Sequence, residues 1–170
     1  MPQRRKQVEA DERPEAAADT LPVVVFTLDG QRFGLPLSAA ERAVPMAAVS
    51  PLPGCPDTVL GAINVHGSVT PVLDLRRRLG LAASEYGPSA HLLLARTAKR
   101  VVALPVDGVH GVVEIEPGRV APPDTVLPGI DQLAGIAALA DGLLLVNDLE
   151  LFLSLDEEGQ LDAAIGRLDG

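Results

Sequence analysis

Three histidines and one cysteine are the side chains best suited to metal binding or catalysis. Their spacing in the sequence favours neither. His66, His91 and His110 are scattered, and none has another His or Cys three or four residues away. Structural zinc sites use such paired spacings, so we predict no metal and no cofactor. Neither a Gly-x-Ser-x-Gly elbow nor a Gly-x-x-x-x-Gly-Lys phosphate loop occurs in the chain.

Two further arrangements could in principle support catalysis. Cys55 could act as a nucleophile with a distant histidine, which makes a small hydrolase using Cys55 or His66 the alternative from the enzyme class. Cys55 lies in a Pro-rich loop without a local catalytic signature, so we favour an incidental thiol. Asp74 and Asp148 could pair as acid and base, but equivalent capping positions in two repeats explain them without catalysis. We therefore expect a protein that is not an enzyme.

The elements that position these residues are organised around residues 60–79. Apolar residues on both sides of His66-Gly67 predict a β-hairpin with a two-residue loop. Asp74 follows the hairpin and is predicted to cap a short helix, which Gly80 is placed to end.

A second copy of this order occurs about 70 residues downstream. The matched pairs are Gly61 with Gly135, Val65 with Leu139, Asp74 with Asp148, and residues 32–37 with residues 101–106. Their shared order indicates two copies of one small β unit. We place the first repeat at about 23–80 and the second at about 90–155, with a Gly/Ser/Pro connector between them.

Composition favours an all-β chain with short helices. The 170 residues are 47% hydrophobic with only four aromatic residues, and 16 Gly and 15 Pro interrupt short apolar runs. Asp29 and Asp107, each followed by glycine, are expected to form turns. The remaining strands are predicted at residues 23–28, 31–37, 91–96, 100–106 and 109–115, with one helical turn and two short strands within 39–49.

Charge and cysteine count exclude several classes of partner. The net charge of −9 argues against nucleic acid, because phosphate contacts need a cationic face. A single cysteine fits a reducing cytoplasm. No apolar run is long enough to insert into a membrane. Residues 1–22 are predicted to be a disordered arm, and residues 156–170 an acidic tail whose helical spacing of Leu161, Ile165 and Leu168 allows a short helix.

The hairpin region also carries a family resemblance. Leu60-Gly-Ala-Ile-Asn-Val-His-Gly67, followed by Val69-Thr-Pro-Val-Leu-Asp-Leu-Arg76, resembles the CheW family of chemotaxis coupling proteins. That family's pattern runs Gly-Val-Ile-Asn-Leu-Arg-Gly and then Val-x-Pro-Val-x-Asp-Leu-Arg. The likeness extends over residues 23–155, including the Val106-Asp-Gly-Val109 turn and a final Asp-Leu helix after Asp148 with Leu149, Phe152 and Leu153 on one face.

The resemblance implies two SH3-like five-stranded β-barrel subdomains sharing a hydrophobic core, in agreement with the internal repeat. It also implies a cytoplasmic, non-enzymatic adaptor recruited to membrane-associated receptor arrays. Its partners would be the regulatory domain of a CheA-type histidine kinase and the cytoplasmic tip of chemoreceptors. A CheW-like adaptor in a divergent pathway, such as twitching motility, is the alternative within this class.

The chain departs from the family pattern at two positions. His66 stands where the family usually has Arg before the hairpin glycine, and Ala40-Glu41-Arg42 stands where it has Val-x-Glu. If the family's Glu and Arg face one another near the receptor-binding groove, two potentially basic groups replace that pair here. We assign Ala40, Arg42, His66 and Val109 to the partner-binding surface. The alternatives are a turn residue tolerated in a solvated loop for His66 and a solvated surface charge for Arg42.

Overall fold

The structure is a computed structural model of the chain, and it describes residues 20–116, 120–121, 133–139, 142–147, 149–151 and 153–169. The arm predicted for residues 1–22 lies outside the described residues up to position 19. The predicted Asp148 cap and Phe152 also lie outside them.

Strands dominate the described part of the chain. They are β1 Leu21–Leu28, β2 Gln31–Pro36, β3 Ala40–Pro45, β4 Val59–Val65, β5 Ser68–Leu73, β6 His91–Arg96, β7 Val101–Val106, β8 Gly108–Ile115, β9 Val120–Ala121, β10 Leu133–Leu139 and β11 Gly142–Asn147. The helices are α1 Leu75–Arg78 and α2 Leu155–Asp169, with 3₁₀ turns at Leu37–Ala39 and Leu149–Leu151. The prediction of an all-β chain with short helices is confirmed.

These strands form two sheets with equivalent strand orders. The first sheet has the order β8-β1-β2-β11-β10-β9, and the second has the order β3-β6-β7-β5-β4. Apart from the two-residue β9, each strand of one sheet has a counterpart in the other. In both sheets a parallel contact joins the two hairpins, between β2 and β11 in the first and between β7 and β5 in the second.

Matching irregularities support the internal repeat. The β4–β5 register shifts between Val59 and Gly61, and the β10–β11 register shifts between Leu133 and Gly135. Gly61 has a φ of +154°, and a Cβ there would lie 2.2 Å from the Ser50 carbonyl oxygen. Only glycine therefore allows the close approach at this bulge.

Each sheet takes strands from both sequence repeats. The first sheet combines β1 and β2 with β8 to β11, whereas the second consists of β3 to β7. The chain crosses between the sheets at the Leu37–Ala39 turn, after β2, and at Asp107, between β7 and β8. The short 3₁₀ turn and β3 occupy the segment where the sequence predicts one helical turn and short strands.

The largest core lies between the two sheets. Alternate residues of β1, β2, β6 and β7 point into it, as the period-two pattern of a strand requires. Its largest fully buried members are Phe26, Leu28, Leu35, Leu73, Leu75, Leu93, Leu104 and Leu161. The other face of the second sheet buries a separate cluster of Val72, Leu92, Leu94 and Ala103, and the first sheet has a smaller one of Val23, Val25 and Ile115. The predicted shared core is confirmed.

Helix α2 carries most of the predicted acidic tail. Ser154 Oγ accepts a hydrogen bond from the Glu157 backbone N–H at 3.1 Å, while Glu157 Oε1 accepts one from the Ser154 N–H at 2.9 Å. This reciprocal arrangement is a capping box. Leu161 is fully buried in the shared core, whereas Leu168 is 54% exposed, so the helix packs through its middle rather than along its whole predicted face.

Candidate partner-binding site

His66 occupies the tight turn of the β4–β5 hairpin. Val65 pairs with Ser68, which leaves His66 and Gly67 as the two loop residues. Both have positive φ angles, 52° and 88°, as expected for a type I′ turn. Asn64 Oδ1 accepts a hydrogen bond from the Gly67 N–H at 2.8 Å and fixes the loop. The predicted hairpin is confirmed, and its turn holds the imidazole at an exposed tip.

Arg42 lies on β3, an edge strand of the second sheet. The β3–β6 register shifts between Ala40 and Arg42, so that Glu41 is the extra residue of a bulge. Glu41 Oε2 accepts a hydrogen bond from Arg96 Nε at 2.8 Å. Glu41 and Arg42 are therefore both exposed neighbours on this bulge. The carboxylate of Glu41 pairs with Arg96 and not with Arg42.

The structure brings Arg42 and His66 into direct contact. Arg42 Nη2 lies 2.9 Å from His66 Nε2. The strand β3 and the hairpin strand β4 are at opposite ends of the second sheet's strand order, so the contact joins the two edges and shows that the sheet curls into a barrel. A guanidinium can only donate, so Nε2 is the acceptor and the imidazole carries its proton on Nδ1.

The structure does not bring Ala40 and Val109 to the same point. Ala40 pairs with Ala95 in the second sheet, and Val109 pairs with Phe26 in the first. Both are half-buried and pack against the shared core. They occupy equivalent places in the two sheets, at the start of the strand that follows each crossover.

A buried ion cluster centred on Arg76 was not anticipated from the sequence. Arg76 is only 4% exposed; its Nη1 contacts Asp29 Oδ1, and its Nη2 lies 2.9 Å from both carboxylate oxygens of Asp107. Nη1 also donates to the Ala82 carbonyl at 3.3 Å, and the guanidinium lies 5.2 Å from the Tyr86 ring centroid. The cluster joins the β1–β2 turn, helix α1 and the crossover after β7.

Asp29 and Asp107 are therefore more than the turn formers that the sequence predicts. Asp29 does occupy the β1–β2 turn, with a φ of 54°, and its N–H donates to Asp107 Oδ2 at 2.9 Å. Burial by itself would lower the pKa of Arg76, but hydrogen bonds from its guanidinium to the two carboxylates raise that pKa above its ordinary value. Burial raises the pKa of Tyr86, and the nearby Arg76 partly offsets this effect.

A second set of polar contacts joins α2 to α1 and to the residues just before β4 and β7. Glu157 accepts hydrogen bonds from Thr58 Oγ1 at 3.1 Å and from Arg78 Nη2 at 2.5 Å, and Arg100 contacts Asp162. Burial opposes ionisation of Glu157, but the Ser154 N–H, Thr58 and Arg78 together lower its pKa. The Arg100 hydrogen bond is the main cause of the lowered pKa of Asp162.

Cys55, His91 and His110 each form a hydrogen-bonding contact with a nearby protein group. Burial raises the pKa of the Cys55 thiol, and Sγ donates to the Val59 carbonyl at 3.6 Å. A raised pKa reduces the thiolate fraction that a nucleophile needs, which disfavours the hydrolase alternative. His91 Nδ1 contacts the Ser89 carbonyl, and His110 Nε2 lies 3.1 Å from Thr27 Oγ1.

The described residues contain neither a candidate metal site nor a candidate membrane-spanning helix. No three His, Cys, Asp or Glu side chains there are grouped so that they could hold a metal ion. Nor does any helix in that part of the chain combine the length and the apolar character needed to cross a membrane.

The fold and the site together define a class of small β proteins in which two equivalent sheets share one core and an edge strand meets an exposed hairpin turn through a polar pair. A sequence model of the CheW-like domain matches residues 22–157. The chain belongs to the CheW-like domain family.

Individual relatives agree with this assignment. The chemotaxis protein CheW of Klebsiella aerogenes is 28% identical over 141 residues, which cover 82% of this chain and 85% of that protein. Protein FrzA of Myxococcus xanthus is 30% identical over 98 residues, covering 58% of this chain and 61% of that protein. The crystal structure of the scaffolding protein TtCheW from Thermoanaerobacter tengcongensis matches with a TM-score of 0.74 at 26% identity, covering 81% of this chain and 95% of that chain.

Proposed function

We propose that this chain is a non-enzymatic adaptor of chemotaxis signal transduction. It would couple the cytoplasmic tips of chemoreceptors to the regulatory domain of a CheA-type histidine kinase, in the cytoplasm and at membrane-associated receptor arrays. The observation that carries the proposal is the match to the CheW-like domain over residues 22–157, together with the same two-sheet fold in a scaffolding protein.

The proposed partner-binding surface includes Ala40, Arg42, His66 and Val109. The contact between Arg42 and His66 supports part of this assignment, because the two positions that depart from the family pattern are neighbours in space. Exposed groups of this kind contribute little to folding, whereas charge complementarity strongly influences partner choice. Ala40 and Val109 would act less directly, by setting the positions of β3 and β8.

An adaptor of a divergent pathway is the second candidate. It is favoured by the same two residues, because Arg42 gives this surface a positive charge where the family pattern has a carboxylate. A partner selected by charge would then differ from the partner of a chain that keeps the family's Glu and Arg.

Binding measurements with the purified full chain test the proposal. We expect the wild-type chain to bind both the kinase regulatory domain and a receptor-tip fragment from the same cell. Binding to neither fragment would overturn the chemotaxis adaptor proposal. If only the double variant Arg42→Glu with His66→Arg gained binding, the fold would be that of an adaptor directed to another partner. Cys55→Ser serves as the control, because an adaptor should bind equally well without the thiol.

A further inference from the structure

The Arg42–His66 pair is exposed and presents hydrogen-bond donors only. One N–H of the Arg42 guanidinium is directed to His66 Nε2, and a guanidinium has five N–H donors and no acceptor. Because Nε2 accepts that bond, Nδ1 of the imidazole carries a proton and is a donor as well. The pair therefore offers several donors to solvent and to any partner, and its single acceptor is already engaged.

The positive charge of Arg42 is not compensated within the described part of the chain. No carboxylate there lies within ion-pair distance of Arg42, although its neighbour Glu41 is acidic. Glu41 is bound to Arg96 instead, at 2.8 Å. By contrast, Arg78 of α1 and Arg100, which directly precedes β7, contact carboxylates of α2. Arg42 is thus an exposed cation paired with a neutral ring.

The surroundings of the pair favour a protein as its ligand. The net charge of the chain is −9, so a polyanion such as nucleic acid would be repelled by most of the surface. A single carboxylate that reaches Arg42 is governed mainly by that local positive charge, because the more distant surface charges are screened. In the same hairpin, three residues after His66, Val69 is 38% exposed and offers apolar surface on the same strand pair, a combination of polar and apolar groups suited to a protein partner.

We infer that the partner bound at this surface presents an Asp or Glu side chain to Arg42 and His66. This inference rests on the proposed adaptor function and names the chemistry of its receptor contact. The carboxylate accepts hydrogen bonds from the free N–H groups of the guanidinium, which suit two-pronged recognition. The Nδ1–H of His66 is a further donor on the same surface. Receptors whose tips carry a basic residue at this point are rejected by like charge.

Charge reversal at Arg42 tests the inference. The full chain is titrated with a receptor-tip fragment from the same organism, with Arg42→Glu, Arg42→Gln and the matched control Arg77→Glu. Arg77 is 58% exposed and pairs with the exposed Asp57 at 3.4 Å, so its reversal changes the net charge equally at another surface. We expect Arg42→Glu to weaken binding by about tenfold or more, Arg42→Gln by less, and Arg77→Glu by little.

A compensating change on the receptor identifies the carboxylate. Each Asp and Glu of the fragment is replaced by Lys in turn, and one of these variants should restore binding to Arg42→Glu while losing binding to the wild-type chain. Raising the salt concentration should narrow the difference between wild type and Arg42→Glu, since exposed charges are screened.

The possible failures are distinguishable. If the wild-type chain binds the receptor fragment and Arg42→Glu binds equally well, the carboxylate inference is overturned and the adaptor function stands. Equal losses for Arg42→Glu and Arg77→Glu would likewise overturn it, because the effect would be one of net charge. If the wild-type chain binds neither the receptor fragment nor the kinase regulatory domain, the adaptor function itself is overturned. Thermal unfolding of each variant establishes that the compared proteins are folded.

Discussion

Arg76 and Arg42 show two different uses of the same side chain. Arg76 is 4% exposed and contacts two carboxylates, an aromatic ring and a backbone carbonyl. Arg42 is exposed and contacts one neutral imidazole. A buried charge must be matched by its surroundings, because leaving it unmatched costs several kcal/mol. An exposed charge is stabilised by water and remains free to select a partner. Arg76 therefore stabilises the fold, whereas we propose that Arg42 recognises a binding partner.

The largest effect is expected on breaking the buried cluster. Arg76→Met should lower the free energy of unfolding by about 3 kcal/mol, because Asp29 and Asp107 are left side by side without their cation. Their partial exposure, 40% and 32%, lets water reduce the penalty and places the value at the lower end of the usual range. Urea unfolding measures the change. Arg77→Met is the matched control, and an equal loss there would contradict the assignment.

The two carboxylates of the cluster should not contribute equally. Asp107 accepts from Arg76 through both oxygens and from the Asp29 N–H, whereas Asp29 accepts through one oxygen. We expect Asp107→Asn to cost about 2 kcal/mol and Asp29→Asn about 1 kcal/mol, in line with hydrogen bonds to charged groups. The same unfolding measurement ranks them. The reverse order would mean that the turn at Asp29 matters more than the crossover.

The ion pairs of α2 are less buried than Arg76. They should make the free energy of unfolding depend on pH. The pKa values of Glu157 and Asp162 are lower in the folded chain than their ordinary values. The unfolded chain therefore binds protons first as the pH falls. The stabilisation is complete above the ordinary carboxyl range of about 4 and is lost as the pH falls through the lowered values.

Glu157→Gln tests this pH dependence. The variant should lose about 1 kcal/mol at neutral pH and show a shallower decline in stability below about pH 4 than wild type. Urea unfolding across that range gives both quantities. Glu85→Gln serves as the control, because Glu85 is exposed and forms no ion pair within the described part of the chain. An unchanged acid slope in the Glu157 variant would show that other carboxylates account for it.

The smallest effect on stability is expected at Arg42. Its replacement by Ala removes one hydrogen bond to an exposed imidazole, so the free energy of unfolding should change by less than about 0.5 kcal/mol. A combination of unchanged thermal unfolding and altered receptor binding would complete the contrast with Arg76. If the free energy of unfolding fell by about 2 kcal/mol or more, the Arg42–His66 contact would instead be important for holding the barrel closed.

The elements that could be predicted from the sequence are those determined by residues close together in the chain. Asp29-Gly30 and His66-Gly67 predict tight turns, because aspartate, histidine and glycine tolerate positive φ more readily than most residues. Asp74 predicts a cap, and its side chain does accept the Arg77 N–H at 3.1 Å. Ser154 and Glu157 carry a capping-box pattern that could have revealed the start of α2, whereas the prediction for residues 156–170 is only an acidic tail that allows a short helix.

Contacts between distant positions could not be predicted in the same way. Arg76 meets Asp29 and Asp107 across 47 and 31 positions, and its place in a run of three arginines suggests a solvated helix face. No local pattern marks the middle arginine of three neighbours as exposed and the first as buried. The contact between Arg42 and His66 was anticipated only through the family resemblance, since it depends on closure of the barrel. Local chemistry specifies turns and caps, whereas the cluster and the site depend on how the sheets curve.

The sharing of strands between repeats has a consequence for the order of folding during synthesis. All five strands of the second sheet lie within residues 40–106, so that sheet is complete soon after β7 leaves the ribosome. The first sheet must wait, because Phe33 of β2 pairs with Leu145 of β11. Before β11 is synthesised, the apolar face of the β1–β2 hairpin can pack only against the completed second sheet. Because the second sheet is built from one contiguous segment, and contiguous units generally fold as they are completed during synthesis, we expect the middle of the chain to fold first and the two ends to pack on it.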